Sequence, residues 1–119
     1  MTDPFIRAVA HFNAGEYRAA LLAFEECWHA GRSDFLRALI QLCNALNQLR
    51  LGLVAGPRRN LASAAALLAP YPPRYMGLDV DALRAYIEEV RACIPNDREH
   101  GAGGVAWDQV PRLRLVIDQ

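Results

Sequence analysis

Ser33 to Leu53 reads SDFLRALIQLCNALNQLRLGL, and the placement of its polar residues decides the fold. On a helical wheel Arg37, Gln41, Asn44 and Gln48 form one narrow stripe. Nearly every other position is apolar: Leu36, Leu39, Ile40, Leu42, Cys43, Leu46, Leu49 and Leu53. A helix this apolar must be covered on most sides, which makes it the centre of a helical bundle. Ser33 is a good N-cap, and Asp34 puts negative charge in the first turn, where the helix dipole favours it. The helix is expected to run to about Val54, with Gly52 and Gly56 weakening its last turn.

The flanking segments supply the cover. A second helix, from about Glu16 to His29, buries Tyr17, Ala20, Leu21, Phe24, Cys27 and Trp28, and Gly31 is a natural stop. Its other side carries Arg18, Leu22, Glu25, Glu26 and His29. Before it, about Pro4 to Asn13 reads as a short helix capped by Asp3, with Phe5, Ala8, Val9 and Phe12 on one face. Asn13-Ala14-Gly15 breaks it. After the central helix, Gly56-Pro57 restarts a helix with Pro57 at its first position, and Arg58 to Ala69 follow. Pro70-Tyr71-Pro72-Pro73 ends it. Asp79 caps a fifth helix to about Cys93, with Leu83, Tyr86, Ile87 and Val90 inside and Pro95-Asn96-Asp97 closing it. Gly101-Ala102-Gly103-Gly104 is flexible by composition. Trp107 and the alternating Val110 to Ile117 are expected to dock as an extended tail, since a strand there has no partner.

The expected fold is therefore all-α: a compact bundle of about five helices with a central third helix and an irregular C-terminal tail. Residues 1–95 form the bundle domain, and residues 96–119 are a tail docked on the same domain. At 119 residues the chain has room for one core and not two.

Thirteen basic and thirteen acidic residues cancel, so no global field draws in nucleic acid or an anionic membrane. Locally the charge is uneven. Residues 1–34 carry a net −2, residues 35–78 a net +5 and residues 79–119 a net −3, and the expectation is that the ends pair with the middle. Every basic residue is arginine, which points to a GC-rich bacterial source. Cys27, Cys43 and Cys93 are odd in number, lack metal-type spacing and sit in apolar stretches, so they read as core positions. The start lacks a signal-peptide pattern, and no run reaches membrane-spanning length. A reducing cytoplasm is the expected setting.

Glu25 borders the buried stripe of the second helix and can reach Arg37, Gln41 or Asn44 on the third. The four form a candidate polar cluster, expected to be a structural hydrogen-bond network, or the site itself if it lies in a pocket. Glu25 and His29 share a helix face, but two ligands do not make a metal site, and His11 and His100 add to it only if the fold brings them close. Neither a metal nor a cofactor is expected. Arg58 and Arg59 follow Gly56-Pro57 at a helix N-terminus and, with Arg50 and Arg74, form a candidate anion site. No serine elbow or cysteine–histidine pair stands out, so no catalytic residue is named. Tyr17 and Trp28 are expected as core anchors, whereas Tyr71, Tyr75 and Trp107 are better candidates for a partner surface, although packing onto the bundle is the favoured reading for them too.

Phe12-Asn13-Ala14-Gly15-Glu16-Tyr17, then Ala20 and Glu25-Glu26-Cys27-Trp28, form one recognisable block. Asp34 to Gln41, Leu49-Arg50-Leu51-Gly52 and Tyr71-Pro72-Pro73-Arg74-Tyr75-Met76-Gly77-Leu78-Asp79 extend it. Together they resemble domain of unknown function family 309, a bacterial and archaeal family, over about residues 5 to 90. The resemblance implies a compact multihelical bundle and no established activity. Members typically read Ala-His-Glu-x-x-Glu-x-x-Trp on the second helix. Here Ala20, Glu25 and Trp28 fit, while Leu21 and Leu22 stand at the His and Glu positions. Asn47-Gln48 stands where the family tends to carry histidine. By resemblance this is a divergent member without the family's His-Glu pair. Asn13-x-Gly15-x-Tyr17-x-x-Ala20 also resembles the first helix of a tetratricopeptide repeat, but no second copy follows at a regular period.

The functional expectation is a non-enzymatic binding or interaction module, with a protein partner or a second copy of the chain, and with no membrane or nucleic acid. The alternative is a metal-assisted hydrolase built around Glu25, Gln41 and Asn44. An enzyme requires those groups to converge in a concave pocket.

Overall fold

The computed structural model describes residues 3–94 and 105–118. Five helices follow in order: α1 Pro4–Asn13, α2 Tyr17–Gly31, α3 Asp34–Arg50, α4 Ala55–Leu68 and α5 Val80–Cys93. Between α4 and α5 lies a two-stranded antiparallel hairpin, β1 Arg74–Tyr75 and β2 Leu78–Asp79. The fold is an all-α bundle in which α1 packs on α2, α2 on α3, α3 on α4 and α4 on α5. Helix α3 is central, touching both α2 and α4. Nine of its residues are buried, including Leu39, Leu42, Cys43 and Leu46.

Local chemistry starts the helices. The Asp3 carboxylate accepts from Phe5 N–H at 2.8 Å, and Asp79 accepts from Ala82 N–H at 2.9 Å. Ser33 Oγ accepts from Phe35 N–H at 3.1 Å and Leu36 N–H at 3.4 Å. Phe35 N–H also reaches the Tyr71 hydroxyl at 2.9 Å, so Ser33→Ala orphans Leu36 N–H alone. The expected loss is about 0.5–1 kcal/mol, at the lower end for an N-cap serine, and thermal unfolding measures it.

Several boundaries differ from the sequence expectation. Helix α2 runs through Gly31 and stops at Arg32, which adopts the left-handed conformation (φ 52°). The Arg32 guanidinium lies 5.4 Å from the Trp28 ring centroid, a cation–π contact that offsets the backbone cost. Helix α3 ends at Arg50, short of Val54, because Gly52 turns the chain with φ +89°. Helix α4 then opens at Ala55, ahead of Pro57, which occupies the third position, where its missing N–H costs nothing. The hairpin has no counterpart in the sequence expectation. Met76 (φ 52°) and Gly77 (φ +78°) form a two-residue turn with both residues left-handed. A Cβ on Gly77 would lie 2.8 Å from Asp118 O, so the turn and the tail fit only around glycine.

Residues 105–118 carry one 3-10 turn, Trp107–Gln109, and otherwise no regular structure. Val110 and Leu115 are buried in the bundle's core. Asn13 holds Leu115 at both backbone groups, donating to its carbonyl at 2.8 Å and accepting from its N–H at 2.7 Å. Tyr86 donates to Pro111 O, and Asp118 N–H donates to Gly77 O, each at 2.8 Å. The Pro95-Asn96-Asp97 stop, His100 and the Gly101–Gly104 stretch lie outside the described residues.

Charge pairing is more local than expected. Arg74 with Asp118 joins the cationic middle to an end, but Arg7–Glu26, Arg84–Asp81 and Arg91–Glu88 lie within the ends themselves. Arg84 and Arg91 reach a carboxylate one helical turn away at little entropic cost, and Arg7 reaches from α1 to α2.

Candidate functional site

Two helical triplets with the same spacing face each other across the α2–α3 contact. Glu25, Trp28 and His29 come from α2, and Arg37, Ile40 and Gln41 from α3. In each, positions i, i+3 and i+4 fall on one helix face. Between them is a cavity of about 240 Å³ lined by these six residues. Each triplet offers one charge, one large apolar side chain and one polar group.

The walls hold unmet hydrogen-bonding capacity. Trp28 Nε1 and Gln41 Oε1 are shielded from solvent, and neither has a hydrogen-bond partner among the described residues. Glu25, half-buried, and Arg37, exposed, form no ion pair with each other or with other described residues. The Trp28 ring has two neighbours: the His29 ring meets its edge at 5.2 Å, and the Arg32 guanidinium lies 5.4 Å from its centroid.

Glu25, Arg37 and Gln41 of the sequence-derived polar cluster thus line one cavity. Asn44, half-buried one turn further along α3, does not line it. Trp28, expected as a core anchor, is only partly buried and forms a cavity wall. Its spacing from Glu25 was visible in the sequence, but its indole N–H had no assigned partner to give it away.

The arginine candidates have separate surroundings. Arg50 donates to Gly15 O at 2.7 Å and to Asn47 Oδ1 at 3.3 Å, and lies over the Tyr17 and Trp107 rings at 5.3 and 5.8 Å. Arg74 pairs with Asp118. Arg58 is half-buried and engaged within the protein, and Arg59 is exposed on α4. Because α4 opens at Ala55, the Arg58 N–H is inside the helix, bonded to Val54 O at 3.0 Å. The unbonded first-turn donors that motivated an anion site therefore lie further back, at Ala55 and Gly56.

Tyr71 and Tyr75 pack on Phe35, with centroids at 5.4 and 4.9 Å, although Tyr75 remains 37% exposed. Trp107 meets the Tyr17 edge at 5.9 Å. Tyr17 is a core anchor, 1% exposed. Cys43 is fully buried, which pushes its thiol pKa well up; burial, then the Asp3 and Glu26 carboxylates, raise that of Cys27. None of the three cysteines lines the cavity. Two further depressions, of about 280 and 560 Å³, flank the tail; Arg74 and Asp118, which line the first, pair with each other.

The family model described as "Domain of unknown function (DUF309)" matches residues 5–60. Over these residues the chain is similar to that family. The DUF309 region runs from α1 into α4, so both helices that build the cavity lie inside it. No curated protein and no solved structure matches the chain. Among the described residues no helix is long and apolar enough to cross a membrane. Leu21 and Leu22 differ in exposure: Leu21 is partly buried against the core, and Leu22 is 50% exposed.

Proposed function

We propose that this protein is a non-enzymatic binding module that recognises its ligand in the α2–α3 cavity. The observation that carries this reading is the pair of buried polar atoms, Trp28 Nε1 and Gln41 Oε1, that lack a partner on facing helices. A buried donor or acceptor left unpaired costs about 1–3 kcal/mol, so a fold selected for stability alone replaces it. Retaining one donor and one acceptor in the same small cavity makes sense when a ligand completes them.

Binding is favoured over catalysis by the composition of the walls. The lining residues include no hydroxyl or thiol that could act as a nucleophile. Glu25 and His29 supply two ligands toward the three that a catalytic zinc takes from protein, and among the described residues no group of three or more His, Cys, Asp or Glu side chains converges.

Gln41→Met tests the reading without knowledge of the ligand. Methionine has nearly the same length and carries no strong polar group. The variant is expected to be more stable than the parent by about 1 kcal/mol, with a midpoint about 3–5 °C higher. A destabilised variant would mean that the amide is satisfied within the fold, and the binding reading would fail.

A further inference from the structure

We infer that the ligand of the α2–α3 cavity is a small zwitterion of the α-amino acid class with an apolar side group. The inference rests on the binding reading above and deepens it. The cavity presents a charged donor, the Arg37 guanidinium, and a charged acceptor, the Glu25 carboxylate. His29 and the Gln41 amide add groups that both donate and accept, and Trp28 Nε1 and Gln41 Oε1 are shielded and unpartnered in the residues that line it. One donor and one acceptor carry full formal charges, on opposite helices, and they do not pair with each other. A monoanion answers Arg37 and sets a like charge near Glu25. A monocation does the reverse. A molecule with a carboxylate and an ammonium answers both, and charge-assisted hydrogen bonds are the stronger kind.

The apolar part of the wall is the Ile40 side chain and the Trp28 indole, which the Arg32 guanidinium and the His29 ring contact. That surface suits a branched aliphatic or aromatic side group. The volume, about 240 Å³, falls below the roughly 300 Å³ at which pockets for drug-sized ligands begin, so the ligand is small. Trp28 Nε1 and Gln41 Oε1 are both shielded from solvent, so a ligand reaches either atom only when the side chains of the cavity wall shift on binding.

The experiment is a nitrogen–proton correlation titration that follows the Trp28 indole cross-peak, assigned with Trp107→Phe. The probes are L-leucine, N-acetyl-L-leucine, L-leucinamide and N-acetyl-L-leucinamide, which lack neither charge, the ammonium, the carboxylate and both charges respectively. Leucine is expected to shift the Trp28 peak and saturate in the millimolar range. Each singly charged analogue should bind about tenfold more weakly or worse, and Arg37→Gln and Glu25→Gln should each cost leucine a similar factor. Equal binding of N-acetyl-L-leucinamide would overturn the proposal in favour of peptide-backbone recognition. Absence of any leucine shift would overturn it too. If Gln41→Met is nevertheless stabilised, the cavity remains a binding site for another ligand class; if it is not, the binding reading falls as well.

Discussion

Leu46→Ala is expected to lower the stability of the bundle by about 3–4 kcal/mol, in the middle of the range for buried leucines. Leu46 is fully buried on α3. The cost of such a truncation depends on how far the surroundings collapse into the space left behind. Here α3 is held by α2 on one side and α4 on the other, so neither neighbour can close the gap without losing its own packing. In a urea titration the midpoint should fall with little change in slope, since the surface exposed on unfolding is nearly unchanged. Leu22→Ala is the internal control. Leu22 is 50% exposed, and its truncation should stay within about 0.5 kcal/mol. Similar losses at the two positions would contradict the central placement of α3.

Asn13→Ala should cost about 2 kcal/mol and loosen the middle of the tail. One side-chain amide here replaces a neighbouring strand: it donates to Leu115 O and accepts from Leu115 N–H, 102 residues away. Each bond contributes about 1 kcal/mol net, and both backbone groups of the buried Leu115 lose their partner together. The readout is amide hydrogen exchange at Leu115, which should speed up markedly. Asp118 N–H, bonded independently to Gly77 O, should keep its protection. Asn13→Asp separates the two bonds. A carboxylate still accepts from Leu115 N–H but cannot donate to its carbonyl, so this variant should fall between parent and alanine at neutral pH. Unchanged exchange at Leu115 in Asn13→Ala would show that the tail is held by its other contacts.

The two variants probe different kinds of information. Leu46 was assignable to the core from the wheel of α3 alone, because a helix with one polar stripe has only one way to be covered. The role of Asn13 was not assignable, since its partner lies at the far end of the chain and carries no matching local signal. The candidate site divides in the same way. Glu25, Arg37 and Gln41 were picked out because their helix positions border the buried stripes. Trp28 as a cavity wall, and the exclusion of Asn44, depend on the rotation of α2 against α3, which side-chain packing sets.

By itself the sequence determined what short-range chemistry controls: five helices, their caps at Asp3, Ser33 and Asp79, their buried faces and the central rank of α3. These follow from periodicity and from side chains bonding to backbone two or three residues away. The tertiary structure decided the ends of α2 at Gly31 and of α3 at Arg50, the Met76-Gly77 turn, the clamp of Asn13 on Leu115 and the pairing of Arg74 with Asp118. It also decided that two polar atoms on facing helices share one cavity without meeting each other. Local rules fix which face of a helix is apolar. The register and rotation at which two such faces meet are set by close packing over the whole core, and only there do distant polar groups acquire, or lack, a partner.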